Sequence, residues 1–226
     1  MSGWLSLPDG NPGERYPGLL MIYEVFGLTE EMKRIARRLS ENGYAVLIPD
    51  ILNRPGPRAF CVLNAARTVL RGRGRELDDL AFAREFLESR PEVDPKRLGV
   101  MGFCLGGGFT VLLASSGYFR ASAPFYADVP KAEGRLKGTC PTVASFGGKD
   151  KRLLPSAERL EKTLTHLGVP HDVKIYPDAG HGFMNEHSGF YAEKILPWLP
   201  VHLGYHEPSA EDSWKRLLDF FKAHLN

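Results

Sequence analysis

Two stretches of this chain are apolar on successive positions instead of on every second one, and that pattern restricts the available folds more than any other feature. Tyr16 to Glu24 reads YPGLLMIYE, and Tyr44 to Pro49 reads YAVLIP. A strand with one wet face alternates apolar and polar side chains, so an unbroken run belongs to a strand covered on both faces, as in a parallel sheet. Between the two runs lie Gly27 and a helix-like segment, Glu30 to Asn42, closed by Gly43. Further on, Arg75 to Glu88 places Leu77, Leu80, Ala81, Ala83, Phe86 and Leu87 on a helical stripe, and Arg97 to Phe103 (RLGVMGF) returns as a buried strand. The alternation continues with a helix over Gly106 to Ser116, strands over Ala121 to Tyr126 and Thr142 to Phe146, a helix over Ser156 to Leu167, and a strand over Asp172 to Tyr176. Ser209 opens a last helix, with Ser209 and Asp212 at capping-box spacing and Trp214, Leu217, Leu218, Phe221 and Leu225 as its apolar stripe. The expected class is α/β, a mostly parallel central sheet flanked by helices on both faces.

A chain of 226 residues with 43% apolar composition can bury one sizeable core and is short for two, so one domain over residues 1–226 is expected. Lys and Arg number 29 against 27 Asp and Glu, a formal charge of +2, which gives no electrostatic reason to expect nucleic acid or an anionic membrane as partner. A small molecule is the expected partner, and a monomer is slightly favoured over an oligomer. The opening MSGWLSLPDG lacks the basic and apolar regions of a secretory signal, and no apolar run reaches membrane-spanning length. The three cysteines, Cys61, Cys104 and Cys140, are widely spaced and odd in number, which fits neither a disulfide framework nor a zinc site and suits a reducing cytoplasm. Leu52 to Gly74 mixes Pro55, Pro57, Gly72 and Gly74 with five arginines and an apolar segment, and is a candidate cap over a pocket.

Gly102-Phe103-Cys104-Leu105-Gly106 stands at a strand-to-helix junction and matches the nucleophile-elbow pattern G-x-S-x-G with cysteine in the serine position. The sharp turn needs small flanking residues, because bulk at Gly102 or Gly106 would strike the neighbouring strand and helix. A sulfur held at a helix N-terminus meets partial positive charge and N–H groups, which favour thiolate and can stabilise an oxyanion. A buried structural cysteine is the plain alternative, and the five-residue context after an apolar strand argues for the nucleophile.

An acid and a base follow in the order such a nucleophile needs. Asp150 comes after the strand Thr142 to Phe146 through Gly147-Gly148-Lys149, at the strand's C-terminal edge. His181 lies in Asp178-Ala179-Gly180-His181-Gly182-Phe183, after the strand ending at Tyr176. Either residue alone could be an ordinary loop residue; a Cys, an Asp and a His at three strand ends in this order make a triad the better reading. His166, His171, His187, His202, His206 and His224 lack such a setting, and no metal is assigned to them. Neither a dinucleotide nor a phosphate-binding glycine motif is present, so no cofactor is expected.

These residues resemble the dienelactone hydrolase family, the carboxymethylenebutenolidases, which are α/β hydrolases with a cysteine nucleophile. The likeness spans nearly the whole chain. It is carried by Tyr23-Glu24-Val25-Phe26-Gly27-Leu28, by Gly43 to Asp50 (GYAVLIPD), by Gly102-Phe103-Cys104-Leu105-Gly106-Gly107 and by Gly180-His181-Gly182-Phe183. The resemblance implies an α/β-hydrolase fold and a role for Glu24 beside Cys104 in controlling when the thiol ionises. It also implies an oxyanion hole from the backbone N–H groups of Val25 and Leu105. Read alone, Glu24 could instead be a salt-bridged structural carboxylate, but an ionisable group at a strand's C-terminal end faces the usual active-site side of such a sheet and favours function. One departure bears on substrate: members that cleave dienelactone carry an arginine a few residues after the histidine, where this chain has Asn185, and a neutral amide cannot replace a bidentate arginine. Either an arginine of the Leu52 to Gly74 stretch, Arg54, Arg58 or Arg67, supplies an anion contact, or the substrate is a different ester. Phe26, Asn185, Arg54 and Arg58 are the candidate substrate contacts, and the aromatic segment Ser188 to Glu207 is a further candidate lining.

The expected chemistry is hydrolysis of a small ester or lactone, a carboxylic ester hydrolase reaction through a thioester on Cys104, with His181 as base and Asp150 fixing its tautomer. Two other readings start from the same residues. A thiol-dependent acyltransferase would pass the acyl group to an acceptor other than water, and product analysis separates it. A catalytically silent protein of the same fold would bind a small ligand in the pocket, and a complete triad argues against it.

Overall fold

The computed structural model describes residues 2–10, 13–186 and 203–225. The strands are β1 (Gly3–Ser6), β2 (Tyr16–Ile22), β3 (Ala45–Pro49), β4 (Val93–Phe103), β5 (Ala121–Phe125), β6 (Thr142–Gly147) and β7 (His171–Tyr176). The helices are α1 (Glu30–Glu41), α2 (Arg58–Arg71), α3 (Arg75–Glu88), α4 (Leu105–Ala114), α5 (Leu154–His166) and α6 (Glu207–Leu225), with a 3-10 turn at Glu133–Leu136. The strands form one sheet in the order β1-β3-β2-β4-β5-β6-β7, parallel throughout except for β1, which pairs antiparallel with β3.

The unbroken apolar runs are the middle of that sheet. Leu19 to Ile22, Ala45, Val46 and Ile48 are fully inaccessible to solvent, as strands covered on both faces must be. Successive residues of a strand point to opposite faces, and two neighbouring glycine positions identify what lies on each. A Cβ at Gly18 would meet Leu87 of α3, whereas one at Gly99, beside Gly18's register partner Leu98, would meet Leu225 of α6. Helices α3 and α6 therefore cover opposite faces. On the α6 face, α1 buries Met32, Ile35, Ala36 and Leu39, the spacing of one helical stripe, and is tied to α6 by Arg38, which pairs with Glu211 and lies over the Trp214 ring. Thr29 caps α1 by accepting from Met32 N–H at 3.3 Å.

Three details differ from the sequence expectation. The stretch Leu52 to Gly74 contains a complete helix, α2, ended by Gly72 in the left-handed conformation at φ 68°. Strand β1 goes unread in the sequence because four residues carry too little periodicity. The last helix starts at Glu207, so Ser209 and Asp212 do not cap it. Pro208 occupies its first turn, where a missing N–H costs nothing, Ser209 Oγ bonds to His206 Nδ1, and the Asp212 carboxylate accepts from Lys174 and Tyr176.

The connection after β2 leads to β3 on one side of the sheet, and the connection after β4 leads to β5 on the other. The C-terminal ends of β2 and β4 therefore flank the point where the strand order reverses, and it is there that open α/β sheets leave a crevice. Glu24 and Val25 follow β2, and Cys104 follows β4.

Candidate active site

The turn from β4 to α4 forces Cys104 to φ 53° and ψ −114°, a region L-residues rarely occupy. Its N–H donates to Phe125 O and its carbonyl accepts from Gly108 N–H, each at 3.1 Å, so both strand and helix hold the residue there. The flanking glycines are required by space. A Cβ at Gly106 would come within 2.1 Å of Ile22 O, and one at Gly102 within 2.4 Å of Gly106 O. This close approach brings α4 onto the end of β2, so that the half-buried Cys104 heads a helix whose first-turn N–H groups have no carbonyl partner within the helix.

Asp150 and His181 arrive on two loops packed against each other. Gly148 N–H donates to Tyr176 O at 2.7 Å, Lys149 N–H donates to Ala179 O at 2.9 Å, and a Cβ at Gly147 would fall 2.2 Å from Gly180 O. The outcome is a bond of 2.8 Å between His181 Nδ1 and Asp150 Oδ2, with both side chains buried. Burial works against a charged His181, but the hydrogen bond it donates to Asp150 and the influence of Cys104 outweigh it and hold the ring's pKa up at about 10. Cys104 thus acts on the same ring that Asp150 holds.

Glu24 is also buried at this junction, and burial pushes its carboxyl up to about 7 although Asn185 and His181 favour the ionised form. Asn185, an expected substrate contact, is its hydrogen-bond partner. Its side chain is fully buried and donates Nδ2–H to Glu24 Oε1 at 3.1 Å. The loop carrying it is tied to α1 by Glu186 N–H donating to Glu31 Oε1 at 2.9 Å. Of the expected oxyanion donors, Val25 lies in the turn that follows β2 and Leu105 is the first residue of α4.

The arginines separate. Arg54 is ion-paired with Asp79, and Arg67 lies 3.4 Å from Asn64 Oδ1 on α2. Arg58 reaches back across Gly27 and donates to Val25 O at 3.3 Å. Phe26, Leu52, Arg54 and Arg58 line a groove of about 390 Å³ beside the Glu24–Val25 turn. Of the aromatic segment Ser188 to Glu207, residues 188–202 lie outside the described residues. Among the described residues no group of three or more His, Cys, Asp or Glu converges as a metal site, and no helix is long and apolar enough to cross a membrane.

One residue here is not legible as a site residue from sequence. Tyr126 reads as the end of a strand, yet it lies one position beyond β5 at φ 38°, with its ring edge-on to His181 at a centroid distance of 5.0 Å. A tyrosine following a buried strand gives no signal that its backbone is strained.

Comparison with known proteins agrees with this geometry. The profile of the Dienelactone hydrolase family matches residues 1–225. The carboxymethylenebutenolidase of Rhodococcus opacus is 28% identical over 221 residues, covering 92% of this chain and 81% of that one. A dienelactone-hydrolase-like promiscuous phosphotriesterase from metagenomic libraries superposes with a TM-score of 0.79 at 22% identity, covering 99% of this chain and 92% of the other. Esterase 2 of Thermogutta terrifontis superposes with a TM-score of 0.68 at 16% identity, covering 98% and 88%. These structures share the α/β-hydrolase fold. With a profile match from one end of the chain to the other, the protein belongs to the dienelactone hydrolase family of ester and lactone hydrolases.

Proposed function

We propose that the protein hydrolyses a small ester or lactone by transferring its acyl group to Cys104 and then to water. The observation carrying this reading is the buried 2.8 Å bond from His181 to Asp150, on a ring that Cys104 also acts on. The Cys104 sulfur, as thiolate paired with the His181 imidazolium, attacks the carbonyl carbon. Negative charge then develops on the carbonyl oxygen, where the N–H groups of Val25 and Leu105 stabilise it. The carbon–oxygen bond to the leaving group breaks, and His181 gives that oxygen its proton. Water next attacks the thioester while neutral His181 removes a proton, the carbon–sulfur bond breaks, and acid and thiolate are released. Throughout, Asp150 accepts from Nδ1–H, fixing the tautomer and stabilising the imidazolium.

Glu24 in this scheme regulates the nucleophile. A buried carboxyl poised near neutrality can hold the proton that leaves the thiol, whereas a fixed negative charge there would oppose the thiolate. Arg58, with Phe26 and Arg54 beside it, is the proposed contact for an anionic part of the substrate. Arg54 is already compensated by Asp79, whereas Arg58 has no carboxylate partner among the described residues. The free state of Cys61, Cys104 and Cys140 supports a reducing compartment, which would keep the nucleophile active.

Hydrolysis of 4-nitrophenyl acetate by wild type and Cys104→Ala, with folding checked by circular dichroism, tests the reading. Turnover that vanishes in the folded variant is expected; full activity in Cys104→Ala would overturn it.

A further inference from the structure

Among the described residues, Cys104 and Tyr126 are the only non-glycine positions with positive φ, at 53° and 38°. They are neighbours. Phe103 and Phe125 are register partners in β4 and β5, so each strained residue is the first beyond the end of adjacent parallel strands. Both are held there by the next strand: Cys104 N–H donates to Phe125 O at 3.1 Å, and Tyr126 N–H donates to Ser145 O at 2.8 Å. Strain of this kind persists only where the surroundings impose it, and it concentrates at functional sites.

The Tyr126 side chain adds a second, independent observation. It is 1% exposed, packed edge-on against His181 and, at 5.8 Å, against Phe183, and its hydroxyl has no hydrogen-bond partner among the described residues. The ring contact with His181 places Tyr126 against the histidine that Asp150 holds. Burial keeps the phenol protonated, so its O–H is available to donate. A buried donor with no acceptor destabilises the fold, and a phenylalanine would fill the same space without that cost.

We propose that Tyr126 is a specificity-determining residue whose hydroxyl donates a hydrogen bond to an acceptor oxygen on the substrate's acyl group. The inference rests on Cys104 being the residue that takes up that acyl group. The preferred acyl groups are then those bearing a carbonyl, ether or carboxylate oxygen beyond the reacting carbonyl, and plain hydrocarbon acyl groups are the poorer substrates. A site built to donate to a substrate oxygen discriminates against the analogue without it, because its own polar group is left unpaired.

The test compares wild type, Tyr126→Phe and Cys104→Ala on two matched pairs of 4-nitrophenyl esters, methoxyacetate with butyrate and 4-oxopentanoate with pentanoate. Within each pair the leaving group and chain length are the same and only the oxygen differs. Tyr126→Phe is expected to lose about tenfold in kcat/KM on at least one oxygenated ester, with its hydrocarbon partner changed less than about twofold, within the effect of a neutral contact. It is also expected to melt at or above the wild-type temperature, since the unpaired donor is gone. Equal losses within both pairs, no loss on any ester, or a lowered melting temperature would overturn the proposal. Activity persisting in Cys104→Ala would instead overturn the cysteine reading, and an enzyme silent on all four esters still leaves the melting comparison to decide the role of Tyr126.

Discussion

Asn185 donates its Nδ2–H to Glu24 Oε1 across 3.1 Å, and neither side chain reaches solvent. The position expected from sequence as a substrate contact thus also supports a buried carboxylate. A neutral amide stabilises that carboxylate without adding a charge, so burial retains the upper hand and Glu24 sits at about 7. A guanidinium in its place would hold Glu24 ionised across the physiological range.

Removal of the amide is expected to move Glu24 further upward. In Asn185→Leu the burial cost is unopposed by that donor, so Glu24 stays neutral to higher pH and the acidic limb of Cys104 alkylation by iodoacetamide should move to lower pH. A superimposable profile would mean that Asn185 does not act through Glu24.

The same carboxyl makes stability depend on pH in a defined direction. Glu24 rises from 4.5 in the free side chain to about 7 in the fold, so its proton favours folding. That contribution is complete below about pH 4.5 and is lost as pH rises through 7, a change of about 3 kcal/mol if no relaxation intervenes. Glu24→Gln carries no such proton. Urea unfolding of both proteins should show wild type losing stability relative to Glu24→Gln as pH rises through this window, and a constant difference would contradict the assignment.

Asp150→Asn keeps the shape of the side chain and removes the charge that holds His181 up. The rate should fall by about 10³- to 10⁴-fold with the fold intact, because the amide favours the wrong tautomer and no longer stabilises the imidazolium. Steady-state kinetics on an aryl ester read this directly, and a loss below about tenfold would place Asp150 outside the reaction.

The strain at Cys104 has its own signature. Glycine adopts φ 53° without the Cβ penalty, so Cys104→Gly should be more stable than Cys104→Ala by roughly 1 kcal/mol despite the entropy glycine adds to the unfolded chain. Chemical denaturation of the two variants measures it, and an alanine variant of equal or greater stability would show that the elbow is relaxed.

The central strands, the elbow and the order of Cys104, Asp150 and His181 were all legible in the sequence, because apolar runs, paired glycines and strand-end positions are local signals. Helix α2 was masked by Pro55, Pro57, Gly72 and Gly74 at its borders, and β1 by its length of four residues. The start of α6 was misread because Ser209 and Asp212 have capping spacing yet bond to His206, Lys174 and Tyr176, partners that the chain order does not reveal. Asn185 on Glu24 spans 161 positions, and the conformation of Tyr126 depends on how β5 leaves the sheet beside β4 and β6. Such long-range pairings exist only once the sheet has closed.

The central claim is that the acyl group passes through the sulfur of Cys104. The most direct measurement is mass spectrometry of the protein quenched in acid during turnover of an activated ester, followed by proteolysis to locate the added mass. One acyl group on the peptide containing Cys104, absent in Cys104→Ala, is the expected result; turnover with the acyl group on another residue, or undiminished turnover in the folded Cys104→Ala protein, would contradict the account.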